Sequence, residues 1–300
     1  MAEPVSILIP AYNERFFAEA FASALAQRHA DFEVVVCDDS PGTAIEQIVR
    51  DAASPRVRYR RNPERLGFAG NFLQCFTEAR ADLVKFLNDD DRLRPDCLGM
   101  LAGIFSANPH VTLATSRRCV IDAAGRVCPD LASTQPVSAV SALMLGRELG
   151  DFVLVNALNL IGEPTTAMFR RSQLALEDGR LFRWGGTDYH CLADLSMWLR
   201  LLSRGFAYYH AGVLSEYRMH EGQEQDQRDM RVTCLEERLW IARQGRRAGF
   251  LSTPELWRQA LQSLQARAAV WQTDREEPAV ADRVQRFARE VRAELDVSPA

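Results

Sequence analysis

The chain has 300 residues, of which 47% are hydrophobic and 25% charged, and a formal net charge of −4. This is the make-up of a globular protein with one large domain, or a domain and an appendage, built round a sizeable core. The slight acidity leaves no electrostatic footprint for nucleic acid, no apolar run is long enough to span a bilayer, and "MAEPVSILIPAYNE" has no basic leader, so no cleaved signal is expected.

"VSILI", Val5 to Ile9, is a short apolar run closed by Pro10, as in a strand buried on both faces. Phe17, Phe21, Ala24 and Leu25 repeat with helical spacing. "FEVVVC", Phe32 to Cys37, is a second buried strand, so the three pieces make a β-α-β unit with parallel strands. Val57 to Arg60 is a short strand, and Phe68, Phe72, Cys75, Phe76 and Ala79 mark a helix face. "LVKFL", Leu83 to Leu87, and "VTLAT", Val111 to Thr115, are further strands. From Ile121 to Leu160, Gly125, Pro129 and Pro136 break the pattern, and loops with short helices are expected. Thr166 to Arg170 is a strand, Leu192 to Leu202 an amphipathic helix, and "FAYYH" and "VLSEYRMH" two late strands. Past the polar "EGQEQDQRD" the pattern is helical to the end, which places a boundary near residue 222.

Seven cysteines are scattered without a C-x-x-C pair, and five histidines form no H-E-x-x-H pattern. The cysteines are expected to be reduced core thiols of a cytosolic protein, neither a disulfide frame nor a zinc site.

Polar clusters follow the first three buried strands: Tyr12 to Glu14, Asp38 to Ser40, and Asn88 to Asp91. An open parallel sheet binds ligands outside the carboxyl ends of its strands, where the strand order reverses, so the clusters point to one pocket. Crowded carboxylates at a strand end suit a hard divalent cation, Mg²⁺ or Mn²⁺, whose shell is completed by water and phosphate, and a nucleoside diphosphate is a natural ligand. Helix capping is the alternative for Asp91 and Asp96, ahead of the helix that starts near Pro95. There is no G-x-G-x-x-G after a strand and no G-x-x-x-x-G-K-[ST], against a dinucleotide oxidoreductase and a P-loop enzyme.

"VSILIPAYNE", "FEVVVCDDSP", "FLNDDDRLRPDCL", "GEPTTAMFRR", "ADLSMWLRLLSRG" and "YRMH", in this order over roughly residues 4 to 220, resemble the inverting family 2 glycosyltransferases of the non-processive bacterial type. The resemblance implies an α/β GT-A fold: a Rossmann-like, mostly parallel open sheet with helices on both faces, here with a C-terminal helical extension. It implies a glycosyltransferase domain over 1–221, with a nucleotide-binding part over about 1–118 and an acceptor-side part over about 119–221, and an extension over 222–300. Pro10, Tyr12 and Glu14 match the first nucleotide-contacting loop, Asp39 the base-binding aspartate, and Asn71, after "LGFAG", an asparagine near the nucleoside. Asn71 reads equally as an ordinary polar residue of a helix's first turns. Asn88 stands where the commonest form of the metal motif has aspartate; Asp89 then matches the ribose ligand and Asp90 the metal ligand.

In the family the catalytic base is the aspartate of a Glu-Asp pair, which here reads Ala193-Asp194, with Asp188 in reserve. Asp194 suits a helix N-terminus electrostatically in either role. His220 matches a position near the diphosphate or metal in some members, and Gly162 to Thr166 should lie on the acceptor side. The implied reaction moves one sugar from a nucleoside-diphosphate sugar, most commonly UDP, to a hydroxyl of a glycan or lipid-linked acceptor, with Mn²⁺ or Mg²⁺, in surface-glycan assembly in the cytoplasm. "RLWIARQGRRAGF" reads either as a helical cap or as a peripheral contact with an anionic membrane. A nucleotidyltransferase and an inactive sugar-nucleotide sensor are the alternatives.

Overall fold

The computed structural model describes residues 3–221, 228–271 and 277–297. The expected boundary near residue 222 and the polar stretch 222–227 lie outside the described residues. The chain forms two compact units, described separately. The first comprises 3–144, 160–181 and 204–220. The second comprises 145–159, 182–203, 221 and the described residues beyond it, so it draws on two earlier pieces of chain as well as the C-terminal helices.

The strands are β1 (Val5–Ala11), β2 (Phe32–Asp38), β3 (Val57–Arg61), β4 (Leu83–Phe86), β5 (Arg92–Leu93), β6 (Val111–Ile121), β7 (Val127–Cys128), β8 (Ala142–Leu145), β9 (Met168–Arg170), β10 (Arg183–Trp184), β11 (Thr187–Asp188) and β12 (Phe206–Arg218). The helices are α1 (Glu14–Leu25), α2 (Ala44–Ala52), α3 (Gly67–Glu78), α4 (Cys97–Ala107), α5 (Gly146–Asn156), α6 (Ala193–Leu202), α7 (Arg228–Arg247), α8 (Pro254–Ala269) and α9 (Pro278–Val297).

In the first unit the main sheet runs β3-β2-β1-β4-β9-β6-β12-β5. β1, β2, β3 and β4 are mutually parallel, as their continuous apolar runs require, while β9 enters antiparallel between β4 and β6. The chain leaves β1 toward β2 and β3, then returns to the other side of β1 with β4. The reversal of strand order therefore falls between β1 and β4. Alternate residues face opposite ways: Ile7, Ile9, Val34 and Val36 pack with Phe17 and Phe21 of α1, Ile45 of α2 and Leu101 of α4. On the other side Phe72 of α3 lies 5.0 Å from Phe86 and Phe76 lies 6.4 Å from Phe169, between ring centroids. Helices thus cover both faces, as the α/β reading expected.

Three local readings change. The two late strands are one, Phe206–Arg218, with register irregularities between His210 and Val213 and between Val213 and Ser215 that absorb the weak stretch Ala211–Gly212. The interval 121–160 holds an eleven-residue helix, α5, closed by Ala157 at φ +50°. α2, a nine-residue helix not among the expected elements, turns Ile45, Ile48 and Val49 to one face, against the core.

In the second unit α5 packs on α6 and α8, and α7, α8 and α9 pack on one another. Here the cysteine expectation is overturned in part: Cys191 and Cys234 form a disulfide with Cα atoms 5.1 Å apart, while Cys37, Cys75, Cys97, Cys119 and Cys128 are free thiols. Spacing of 43 residues along the chain hid a pairing that only α7 packing brings about. Much of the basic-aromatic stretch is used inside the unit. Arg238 bonds the Ala157 carbonyl, Arg243 pairs with Glu290 and Glu294, and Phe250 is fully buried, whereas Trp240, Arg246 and Arg247 remain exposed. Among the described residues no helix is long and apolar enough to cross a membrane.

Candidate active site

Parallel pairing in register brings the strand ends together. Ala11 pairs with Asp38 and Leu8 with Phe86, so Tyr12–Glu14, Asp39–Ser40 and Asn88–Asp91 emerge from one edge of the sheet at its switch point. The three clusters predicted to share a pocket are neighbours in the first unit.

Asp89 is held by the start of α1. Its Oδ2 accepts the backbone N–H groups of Tyr12 and Asn13, each at 2.6 Å. Burial, and then the charge of Asp90, push its carboxyl up to about 7 against the pull of those two donors. Asp90 is also raised by burial, opposed chiefly by His220, whose Nε2 lies 3.2 Å from Asp90 Oδ2. Phe16 lies against the His220 ring, centroids 4.8 Å apart. Asp91 is not a helix cap: it is buried, and its oxygens accept from Thr165 Oγ1 at 2.7 Å, Asn88 Nδ2 at 3.1 Å and Arg218 N at 2.9 Å. Asp96 takes the cap position of α4 without a side-chain cap bond. Asn88 therefore acts as a donor to Asp91, where a further carboxylate would add repulsion to the cluster.

Asp39 closes the opposite side. Its Oδ1 accepts from Leu66 N at 2.8 Å and Asn62 Nδ2 at 2.9 Å, and its Oδ2 from Gly67 N at 2.8 Å. Gly67, at φ +70°, turns the chain into α3 so that two successive N–H groups meet one carboxylate. Asn71 is buried, accepts from Asn62 Nδ2 at 3.0 Å and donates to the carbonyls of Ala11 and Cys37. It ties the ends of β1 and β2 directly. Asp38 forms the turn itself, accepting from Ser40 N, Tyr59 Oη and Arg61 Nη1. Pro10 lies buried in β1 opposite Cys37. Tyr12 is exposed beneath the Arg65 guanidinium. Glu14 opens α1, and a Cβ on Gly42 would come within 2.2 Å of its Oε1, so the "DDSPG" turn and the "YNE" loop are in close approach.

Three residues outside the predicted set organise this edge. Arg218, fully buried, donates to the main-chain oxygens of Asp90, Asp122 and Ala123 and to Glu19 Oε2, with Phe16 under its guanidinium. Thr165, from the loop expected on the acceptor side, reaches Asp91 and accepts Asn88 N. Lys85, fully buried in β4, donates to Thr165 O at 2.5 Å. A lysine inside the apolar run "LVKFL" was the visible signal for the last.

Asp194 belongs to the second unit, in the first turn of α6. Its Oδ2 accepts from Asn159 Nδ2 at 2.8 Å and its Oδ1 from Leu195 N at 2.6 Å. Asn159, Leu192, Leu195 and Arg238 line a small, largely apolar pocket there. Asp188, the reserve candidate, is paired with Arg183 at 2.7 Å.

A divalent cation fits the Asp90 side of the first unit. A carboxylate oxygen and an imidazole nitrogen converge there, beside two more carboxyl groups whose charged forms burial disfavours. Among the described residues no group of three His, Cys, Asp or Glu side chains is placed to hold a metal ion by itself.

The sheet order, the acidic switch point and the helices on both faces are those of a GT-A fold. The TarS 1–349 structure from S. aureus superposes with a TM-score of 0.57 over 97% of this chain and 92% of that one, at 14% identity. TarS 1–349 in complex with UDP-GlcNAc gives 0.53 at 13% identity, over 97% and 92%. The chain belongs to the family described as Glycosyl transferase family 2, whose model matches residues 6–174. It is 36% identical over 209 residues to the uncharacterized protein MT1568 of Mycobacterium tuberculosis, over 67% of this chain and 62% of that protein. It is 31% identical over 88 residues to WfgD of Escherichia coli, a UDP-Glc:alpha-D-GlcNAc-diphosphoundecaprenol beta-1,3-glucosyltransferase, over 29% of this chain and 35% of that protein.

Proposed function

We propose that this chain transfers one sugar from a UDP-sugar to an acceptor hydroxyl with inversion, assisted by Mn²⁺ or Mg²⁺. The observation that carries the reading is the Asp89–Asp90–His220 group at the switch point, facing the Tyr12–Glu14 loop. Pro10, Tyr12 and Glu14 form the wall of the nucleotide pocket. Asp39 reads the base, and Asn71 acts through the strand ends it ties. Asp89 takes the ribose, and Asp90, with His220, holds the metal. The UDP preference is supported by the donor named for WfgD and by the ligand of the TarS complex. When bound, the cation supplies Lewis-acid stabilisation of negative charge on the leaving diphosphate.

Asp194 takes the proton of the attacking hydroxyl, a task typically worth ~10²–10⁴ in rate. Asn159 holds one carboxylate oxygen and Leu195 N the other, so the ionised carboxylate is oriented by hydrogen bonds. The hydroxyl oxygen bonds to the anomeric carbon as the bond to the diphosphate breaks, with no covalent enzyme intermediate. Residues 1–221 act as the transferase domain and 222–300 as its extension. The acceptor is a glycan, free or lipid-linked, and the reaction belongs to surface-glycan assembly on the cytoplasmic side. Exposed Trp240, Arg246 and Arg247 are the groups through which the helices would touch a membrane.

The test is Asp194→Asn. It should abolish UDP release from the donor that the wild-type chain turns over, while UDP affinity, measured by calorimetry with Mn²⁺, stays unchanged. An active Asp194→Asn variant would remove the base assignment.

A further inference from the structure

α6 begins without an ordinary cap. Leu192 stands at the cap position and has no side chain to accept the helix's first N–H groups. The segment entering the helix is instead held from α7. Glu237, fully buried in the middle of that helix, accepts His190 N and Leu192 N, each at 2.8 Å, one on each carboxylate oxygen. One turn earlier on the same face Cys234 is joined to Cys191, the residue between those two donors.

The next residue along α7 grips the other segment that reaches Asp194. Arg238 Nε donates to the carbonyl of Ala157 at 3.0 Å, and its Nη1 donates back to Cys234 O at 2.8 Å. Ala157 is the left-handed residue that ends α5, two positions before Asn159. Asn159 donates to Asp194 Oδ2. So adjacent residues of α7 fix two stretches of chain, 190–192 and 157–159, that are remote in sequence and meet at one carboxylate. Arg238, Leu192, Leu195 and Asn159 also line one pocket, which confirms that the stretches converge.

A buried carboxylate in mid-helix is costly unless its charge is compensated, and a leucine or glutamine would fill the same space more simply. Its use here, paired with backbone donors at a helix entry, is the way a loop is held to a fixed geometry. We infer that α7 is a positioning element of the transfer reaction, with Glu237 and Arg238 fixing the placement of Asp194. The inference rests on the reading of Asp194 as general base. It gives the C-terminal helices a part in catalysis besides packing within their own unit.

The experiment uses the full chain. UDP release from UDP-glucose, UDP-galactose and UDP-GlcNAc with Mn²⁺, with water taking the place of the acceptor hydroxyl as nucleophile and proton source, is followed for the wild type, Glu237→Gln, Arg238→Met and Asp194→Asn. UDP affinity is measured by calorimetry and folding by far-UV circular dichroism. Glu237→Gln keeps the shape but turns an amide N–H₂ toward a backbone N–H. Arg238→Met replaces a buried cation by an apolar chain of similar length and leaves the Glu237 hydrogen bonds in place, so the two variants test the two contacts independently. Both variants should lower kcat by about 10- to 100-fold, the effect of misplacing a reacting group by about an ångström. Donor KM and UDP affinity should stay within about twofold of wild type, since the interaction acts on the transition state alone.

Wild-type kcat in both folded variants overturns the positioning role, as does a parallel loss of kcat and UDP affinity, which marks a general structural role. If Asp194→Asn keeps wild-type turnover, the general-base reading fails and the inference falls with it. If the wild-type chain releases UDP from none of the donors, the transfer reading itself fails, and with it the inference.

Discussion

Arg218 donates from Nε to the main-chain oxygen of Asp90 at 2.7 Å, while its own backbone N–H bonds Asp91 Oδ1 at 2.9 Å. A single buried arginine therefore fixes the backbone under the proposed metal ligand and the side chain next to it. Arg218→Ala should leave the carbonyls of Asp90, Asp122 and Ala123 without their donor. The expected loss of stability is on the order of 3 kcal/mol, from the penalty for unsatisfied buried groups, and is read from urea unfolding.

Asp39→Asn separates charge from shape at the other side of the edge. Three donors converge on the carboxylate, two of them backbone N–H groups at the start of α3. The amide must turn its N–H₂ toward one of them. The variant should unfold about 1–3 kcal/mol more easily, and UDP binding by calorimetry should weaken in parallel.

Gly42→Ala should distinguish folding from ligand binding. The added Cβ meets the end of the Glu14 side chain at 2.2 Å, and that flexible carboxylate can swing away. Stability should change by less than about 0.5 kcal/mol, as for most surface changes. UDP affinity should fall by about tenfold, the loss of one charge-assisted hydrogen bond from Glu14. An unchanged affinity would remove Glu14 from the nucleotide pocket.

Glu237 gives the second unit a pH signature. Burial raises its carboxyl above the ordinary value, opposed by the backbone donors of Leu192, His190 and Cys191 and by the charge of His190. The folded state thus binds the proton more tightly than the unfolded chain. Stability from this group is full below the ordinary glutamate range and declines as pH rises from there through the raised folded value. Glu237→Gln should flatten that part of the slope in urea unfolding at stepped pH. The Asp89–Asp91 group, raised in the same sense, leaves a residual slope of the same sign in the variant.

The sheet was legible because its strands are buried on both faces. Val5–Ile9, Phe32–Cys37 and Leu83–Leu87 appear as apolar runs, and the polar residues directly after them mark the binding edge. Asp89, Asp90 and Asp39 fall where that edge lies. What was not legible depends on partners far along the chain. Arg218 lies 128 residues from Asp90, and Glu237 is 45 residues from Leu192. The Cys191–Cys234 pair needs α7 packed in place before the two sulfurs meet. In "YRMH" the histidine is the residue the resemblance marks, though Arg218, two positions before it, carries more of the hydrogen bonding. β12 read as two strands because Ala211 and Gly212 interrupt its alternation without ending it.

The central claim is that the acidic strand end binds a nucleoside diphosphate together with a cation. The most direct measurement is thermal unfolding of the wild-type chain with UDP, GDP, dTDP or CDP, each with Mn²⁺ and with EDTA. A ligand bound only by the folded state adds about 2.7 kcal/mol at 100 times its Kd. The account predicts that UDP raises the melting temperature with Mn²⁺ and loses that effect in EDTA. Stabilisation by none of the four nucleotides, with or without the metal, would contradict it.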